Sequence, residues 1–531
     1  MELRPYQQQA VESIFKEWED KQKTLLVLPT GCGKTIVFAK VAEECVRLGH
    51  RVLILAHRGE LLEQAQDKIL KATGLGSSLE KAESTSVNEW FRITVGSVQT
   101  LQSEKRLERF DKDHFDTIII DEAHHCVSNS YQNILNYFNS AKVLGVTATP
   151  DRADMKNLGS FFDSLAFEYS IAKAIREGYL SKIKALTIPL NIDLSKVAVQ
   201  AGDFKAGDVA TALDPYLEQI ADEMVKHCQN RKTLVFLPLV ATSKKFKEIL
   251  NSKGFKAAEV NGSSEDRKEV IQDFEDGKYN VLCNSMLLTE GFDCPAIDCV
   301  IVLRATKSRS LYCQMVGRGT RLSPGKQEVL LLDFLWHTEK HELCRPAHLI
   351  CKNEDVARAM TKKMEDEAEA GNEQVFDIMD VEEEAESDVL RQREEKLAEE
   401  LKAMKSRKRK LVDPLQFEMS IQAEDLASYV PTFAWEMGPP TPKQLRALEK
   451  YGIYPDDVKN NGYAQKLLDR LNKRKEENLA TPKQIRFLES KNFVHVGTWT
   501  FDSAAKLIGR IAANDWRVPN GINPKEYVPE G

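Results

Sequence analysis

The sequence predicts an α/β protein with two tandem, doubly wound parallel-sheet domains and an α-helical C-terminal region. Three observations carry this expectation. Short runs rich in Val, Ile and Leu alternate with helix-length segments over residues 1–181, as expected of parallel strands buried on both faces. The same alternation returns over 182–351. It then stops, and residues 352–411 turn rich in Glu, Lys, Ala and Met without a single Pro.

In the first domain the strand candidates are TLLVL (24–28), RVLILA (51–56), RITVG (92–96), DTIIID (116–121) and KVLGVT (142–147). In the second they are TLVFL (233–237), YNVLC (279–283), CVIVL (299–303) and EVLLLDF (328–334). Residues 352–411 read as a charged helical linker with a flexible point near Gly371, ending in KSRKRK (405–410). Residues 412–531 read as a helical accessory region that repeats one unit. PTPKQLRALE (440–449) returns forty residues later as ATPKQIRFLE (480–489). Thr441 and Thr481 suit N-caps, Pro442 and Pro482 the first helical position, and Gln444 and Gln484 complete capping boxes. Each unit is too small to bury a core alone, so the two are expected to pack together.

Composition sets bounds. The 531 residues are 42% hydrophobic and 29% charged, enough for several soluble domains. No apolar run is long enough for a membrane span, and the polar start MELRPYQQQAVE argues against a secretory signal. Ten cysteines occur without a CxxC pair, which fits reduced thiols in a cytoplasmic setting. The net charge is −7, but residues 364–388 hold 12 acidic and no basic side chains. The rest of the chain is therefore net positive, and the total does not veto a nucleic-acid partner.

The chemistry starts at VLPTGCGKT (27–35), a Gly-rich loop between a strand and a helix. In such a loop the backbone N–H groups of Gly31, Cys32, Gly33 and Lys34 can face phosphate oxygens, with Thr30 beside them. Lys34 would pair with the terminal phosphates of ATP, and Thr35 would offer a hydroxyl to Mg²⁺. TIIIDEAHH (117–125) delivers Asp121 and Glu122 at a strand's carboxyl end, where open α/β sheets hold ligands. Asp121 is the second Mg²⁺ candidate, and Glu122 the candidate base for an attacking water. His124, His125 and Cys126 sit on a loop beside a nucleotide site, which is poor metal-cage geometry, HTEKHELCRPAHLIC (337–351) matches no common finger spacing, and no zinc is expected.

Taken with these, LRPYQQQAV (3–11), LAHRGELLEQ (55–64), VGSVQTL (95–101), GVTATPDR (145–152), EVNGSSEDR (259–267), LLTEGFDCP (287–295) and QMVGRGTRL (314–322) resemble the ordered motifs of superfamily 2 DEAH-box DNA helicases. The resemblance covers roughly residues 1–335 and is nearest the RadD-like, UvsW-like and XPB-like branch. It implies two RecA-like domains with ATP and Mg²⁺ between them. It implies adenine reading by Gln7 and Arg4, nucleotide contacts from Gly291 and Asp293, and finger residues Arg318 and Arg321, with Gln314 orienting the water. It implies coupling through His124, Thr147 and Thr149, and nucleic-acid contacts at His57, Arg58, Thr100, Asn261 and Thr289. It also implies 3′→5′ movement, a single-stranded, forked or branched DNA partner, and a bacterial or phage-encoded source.

Two rival readings stay open on the residues alone: an RNA helicase of the same fold, and an ATP-switched scaffold that binds a partner protein. A restriction-system motor subunit is a third, but no nuclease motif is evident. The repeated units suggest an accessory module for nucleic acid or a protein partner, with Lys443, Arg446, Lys483 and Arg486 as its recurring basic residues.

Overall fold

All nine apolar runs form strands. The computed structural model describes residues 2–529, except 57–58, 83, 149–151, 201, 290, 338–342, 352, 390, 392–410 and 428. It divides into two compact units, Met1–Ala385 and Glu386–Gly531. No helix among the described residues is long and apolar enough to cross a membrane.

The first unit holds two seven-stranded sheets. The first sheet comprises β1 (Lys23–Val27), β2 (Val52–Ala56), β3 (Ser78–Glu80), β4 (Ile93–Ser97), β5 (Thr117–Asp121), β6 (Lys142–Thr147) and β7 (Ser164–Glu168). Their order is β3-β4-β2-β5-β6-β1-β7, with all pairings parallel. Register decides what meets at the carboxyl edge. Val27 pairs with Thr147, and Asp121 pairs with Val146. The phosphate loop, the end of β6 and the Asp-Glu pair therefore stand side by side, as the topology of open α/β sheets requires.

The second sheet begins with β8 (Lys182–Asp193). A small hairpin, β9 (Val199–Gln200) and β10 (Asp203–Phe204), follows it. The sheet continues with β11 (Thr233–Phe236), β12 (Ala257–Val260), β13 (Val281–Asn284), β14 (Cys299–Val302), β15 (Glu328–His337) and β16 (Val375–Asp377). The order is β12-β13-β11-β14-β15-β8-β16, and only β16 runs antiparallel. Apolar residues of β11, β13, β14 and β15 pack with Leu217, Ile220, Met224, Phe246 and Leu250 of the covering helices. The sequence reading missed β3, β7, β8, β12 and β16. They are short, or are broken by charged residues and by Pro189, and so lack a continuous apolar run.

The linker expected over 352–411 needs correction. Helix Glu354–Glu369 buries Val356, Ala357, Met360, Met364 and Ala368. That is a stripe at helical spacing hidden in a charged composition. Buried Arg345 joins it to β15: the guanidinium lies 3.4 Å from Asp333 and 3.2 Å from Glu365, and donates to the Phe334 carbonyl at 3.0 Å. Gly371 (φ +79°) ends the helix, and β16 then pairs along β8. Residues 354–377 thus belong to the second sheet's domain, whereas KSRKRK (405–410) lies outside the described residues. Among those residues, Glu223, His227 and Glu373 bring three metal-type ligands together, one short of the usual structural zinc set.

In the second unit both repeats are helix–loop–helix: Pro442–Tyr451 with Asn461–Glu476, then Pro482–Glu489 with Phe501–Ala513. Both capping boxes form, with Gln444 and Gln484 accepting from the backbone N–H of Thr441 and Thr481 at 2.8 and 2.9 Å. Leu448, Leu467 and Leu471 of the first repeat share one core with Ile485, Leu488, Leu507 and Ile511 of the second. Arg474 donates to the carbonyls of Ala480 and Gly497. Lys483 lies over Gly452 and Arg486 donates to the Leu411 carbonyl at 2.8 Å, so two of the four recurring basic residues serve packing. Lys443 and Arg446 are exposed.

Candidate active site

A cleft of about 430 Å³ opens at the carboxyl edges of the two sheets, within the usual range for a small-molecule site. The first domain lines it with Arg4, Thr30, Gly31, Gly33, Lys34, Thr35, Lys68, Asp121, Glu122 and Tyr179. The second contributes Gly291, Asp293, Pro295, Arg318, Arg321 and Leu322.

The loop's shape comes from its glycines. Gly31 and Gly33 have φ of +89° and +78°, a region that L side chains rarely adopt. A Cβ on Gly33 would stand 2.5 Å from Gln7 Nε2. Beneath the loop, the Tyr6 hydroxyl and Gln7 Nε2 donate to the Cys32 carbonyl at 2.8 and 3.1 Å. Tyr6 in turn stacks on Tyr169, with ring centroids 4.3 Å apart. Two expected roles change here. Gln7 is buried, and its amide is engaged by Cys32 and by the Arg4 N–H, so it buttresses the loop and does not line the cleft. Cys32 turns its own N–H to the Pro29 carbonyl. Arg4 does line the cleft, with its guanidinium 5.2 Å from the centre of the Tyr179 ring. Tyr179 was missed because no sequence pattern marks it.

Lys34 Nζ lies 3.1 Å from Glu122 Oε1. Glu122 sits in left-handed backbone (φ +51°), which swings its carboxylate away from the strand direction. Its Oε2 is buried with no hydrogen-bond partner, and His124 Nδ1 is 3.6 Å away. His124 also meets the Thr147 hydroxyl at 3.4 Å, which links the carboxylate to the end of β6. Burial, then the adjacent Glu122 charge, pushes Asp121 up to about 6. Burial acts to raise Glu122 too, but Lys34 and His124 outweigh it and hold its carboxyl below the usual value. An orphaned carboxylate oxygen beside Asp121 and Thr35 fits a hydrated divalent cation.

Across the cleft, Arg318 donates to the carbonyls of Thr289 (3.1 and 2.5 Å) and Phe292 (2.9 Å). Arg321 pairs with Asp293 at 3.0 Å. Gly317 lets this turn approach the phosphate loop, since a Cβ there would stand 2.9 Å from Thr30 Cβ. Gln314 is buried on helix Arg309–Val316 and does not line the cleft, contrary to the water-orienting role expected for it.

The expected nucleic-acid contacts fare differently. Thr289 is buried: its hydroxyl donates to the Met286 carbonyl at 2.8 Å, and its own carbonyl accepts from Arg318. Asn261 is buried and engaged by Glu259 and the Ser263 N–H. The Thr100 hydroxyl accepts from the Ala82 N–H at 3.0 Å. Asn261 and Thr289 are spent on local turns, and Thr100 on a segment 18 residues away. His57, Arg58 and Thr149 lie outside the described residues.

Residues 1–152 match the family described as type III restriction enzyme, res subunit, and 216–323 match the helicase conserved C-terminal domain. The chain belongs to the superfamily 2 helicases. It is 32% identical over 378 residues to IRC3 of Saccharomyces cerevisiae, named as an ATP-dependent helicase, covering 67% of this chain and 54% of the relative. It is 26% identical to the DNA 3′-5′ translocase XPB2 of Sulfurisphaera tokodaii, over 63% of this chain and 82% of that one. A fragment named as an HsdR subunit of a type I restriction enzyme from Vibrio vulnificus YJ016 shares the fold, with a TM-score of 0.51 and 26% identity over 62% of this chain and 64% of that one. The chain thus spans about half the length of its yeast relative, and this helicase motor occurs in yeast, archaeal and bacterial proteins.

Proposed function

We propose that this superfamily 2 chain is an ATP-dependent DNA helicase or translocase moving 3′→5′. One observation carries the reading: Lys34 and Glu122 on one sheet face Arg318 and Arg321 on the other across a single cleft. Glu122, whose Oε2 has no hydrogen-bond partner, would accept a proton from water. Lys34 is within reach of a terminal phosphate once it leaves Glu122. Arg318 and Arg321 offset the charge that develops on the transferred phosphoryl group, an effect worth about 10³–10⁵ in rate. Thr35 and Asp121 would hold Mg²⁺, which supplies charge neutralisation at the phosphates. The site needs both domains, so binding favours closure and hydrolysis releases it. Strand contacts on the two domains then alternate their grip.

DNA as partner is supported by the XPB2 likeness and by the net positive balance outside residues 364–388. Lys443 and Arg446 of the accessory unit are proposed to add phosphate contacts, which give affinity without sequence preference. The decisive experiment measures ATPase stimulation by single-stranded DNA, duplex DNA and RNA, followed by strand displacement on forked substrates. Stimulation by DNA with 3′→5′ displacement is expected. Stimulation by RNA alone would overturn the DNA assignment in favour of an RNA helicase. A Lys34→Ala protein that has lost ATPase activity but still supports the biological role would favour the partner-binding scaffold.

A further inference from the structure

Among the described residues, five cationic side chains line the cleft: Arg4, Lys34, Lys68, Arg318 and Arg321. Four are committed. Lys34 pairs with Glu122, Arg318 holds two carbonyls, Arg321 pairs with Asp293, and Arg4 lies against Tyr179 and the Tyr6 hydroxyl. Lys68 alone has neither a hydrogen bond nor an ion pair among the described residues. It comes from the middle of helix Gly59–Thr73, where it shares the cleft-facing side with Gln64 and Ala65. Burial depresses its pKa, and the charges felt most strongly by its ammonium are Asp293, Arg321, Asp121 and Arg318, in that order.

Lys68 lines the same cleft as these four residues. All four belong to the end where the first-sheet carboxylates meet the second-sheet arginines. A partly desolvated ammonium without a partner is costly. An anion delivered by a ligand removes that cost, and a lysine ammonium is a compact point charge suited to phosphate.

We propose that Lys68 is a ligand of the terminal phosphate of the bound nucleoside triphosphate, an assignment that rests on the ATP reading of the cleft. A triphosphate would then meet Lys34 from the phosphate loop and Lys68 from the neighbouring helix, while a diphosphate would lack the group that Lys68 holds. Lys68 would thereby make the first domain distinguish ATP from ADP.

The test measures binding of Mg²⁺ with a non-hydrolysable imido analogue of ATP, and of Mg²⁺ with ADP, to the full chain by calorimetry. Lys68→Ala should weaken the triphosphate analogue by about tenfold or more and ADP by less than about twofold. Lys68→Arg should keep both within about threefold of the parent protein. The KM for ATP should rise in Lys68→Ala more than kcat falls. Equal weakening of both nucleotides would show a structural role and overturn the proposal, as would an unchanged triphosphate affinity. If the parent protein binds neither nucleotide, the ATP reading itself fails. If it binds both and Lys68→Ala behaves like it, only the assignment of Lys68 fails.

Discussion

Lys34 Nζ stands 3.1 Å from Glu122 Oε1, so the cation proposed to meet phosphate and the carboxylate proposed to activate water neutralise each other. Nucleotide binding must part them. Glu122→Gln removes the base and frees the lysine together. Turnover should fall by about 10²–10⁴, while affinity for a triphosphate analogue holds or rises. Steady-state ATPase assays beside calorimetric binding check this. A parallel loss of binding would mean that Glu122 serves only to shape the loop.

Gly317 is where the second domain's arginine turn rests against Thr30. A Cβ there would meet the Cys313 carbonyl at 2.6 Å and Thr30 Cβ at 2.9 Å. Gly317→Ala should therefore push the turn off the phosphate loop and destabilise the protein by about 1–3 kcal/mol. ATPase activity should drop further than the unfolded fraction explains. Thermal denaturation and turnover on the same preparation separate the two effects.

Glu418 in the helical unit is buried, and its Oε1 has no hydrogen-bond partner. Burial, with Asp413 and Asp425 adding to it, pushes its pKa up to about 8. The fold therefore prefers the neutral acid. Below the unfolded value near 4.5 the group costs nothing. As pH rises from there through about 8 the cost grows, reaching the order of a few kcal/mol. Hydrogen exchange over 412–529, corrected for intrinsic rates, should show protection falling between pH 5 and 8. Glu418→Gln should flatten that dependence and raise protection at pH 8. A parent protein with flat protection would contradict the assignment.

Lys443, Arg446 and Lys483 are all exposed, but Lys483 also lies over Gly452 and Arg486 donates to the Leu411 carbonyl. Reversing the charge of the first pair thus tests DNA contact without disturbing the core. K443E with R446E should weaken single-stranded DNA binding and lower the salt-dependence slope by up to about two. Binding isotherms at several salt concentrations measure both. An unchanged slope in a folded double variant would leave the unit to protein partners.

Motif order made the motor legible, because strand carboxyl ends gather phosphate loop, acid pair and arginines whatever the intervening chain does. Side-chain direction was less legible. Gln7, Asn261 and Thr289 stand in motif positions, but each is buried beside carbonyls or amides that must be satisfied. Those local partners take the hydrogen bonds that a ligand would otherwise receive. Helix Glu354–Glu369 was hidden for another reason. Its composition is that of a solvated linker, and only the four-residue spacing of Val356, Met360 and Met364 betrays a buried face. Lys68 and Tyr179 carry no motif at all, and only the folded cleft brings them forward.

Strand β16 has a practical consequence for anyone trimming this protein. It lies along β8, pairing Val375 with Leu186 and Phe376 with Ala185. A chain cut after Cys351, where the alternation of apolar runs and helical segments stops, would bare a row of unpaired amides and carbonyls, and strip the apolar cover that helix Glu354–Glu369 provides. Such an edge recruits copies of itself. The smallest motor that stays monodisperse should therefore extend at least through Asp377, well past its last helicase signature.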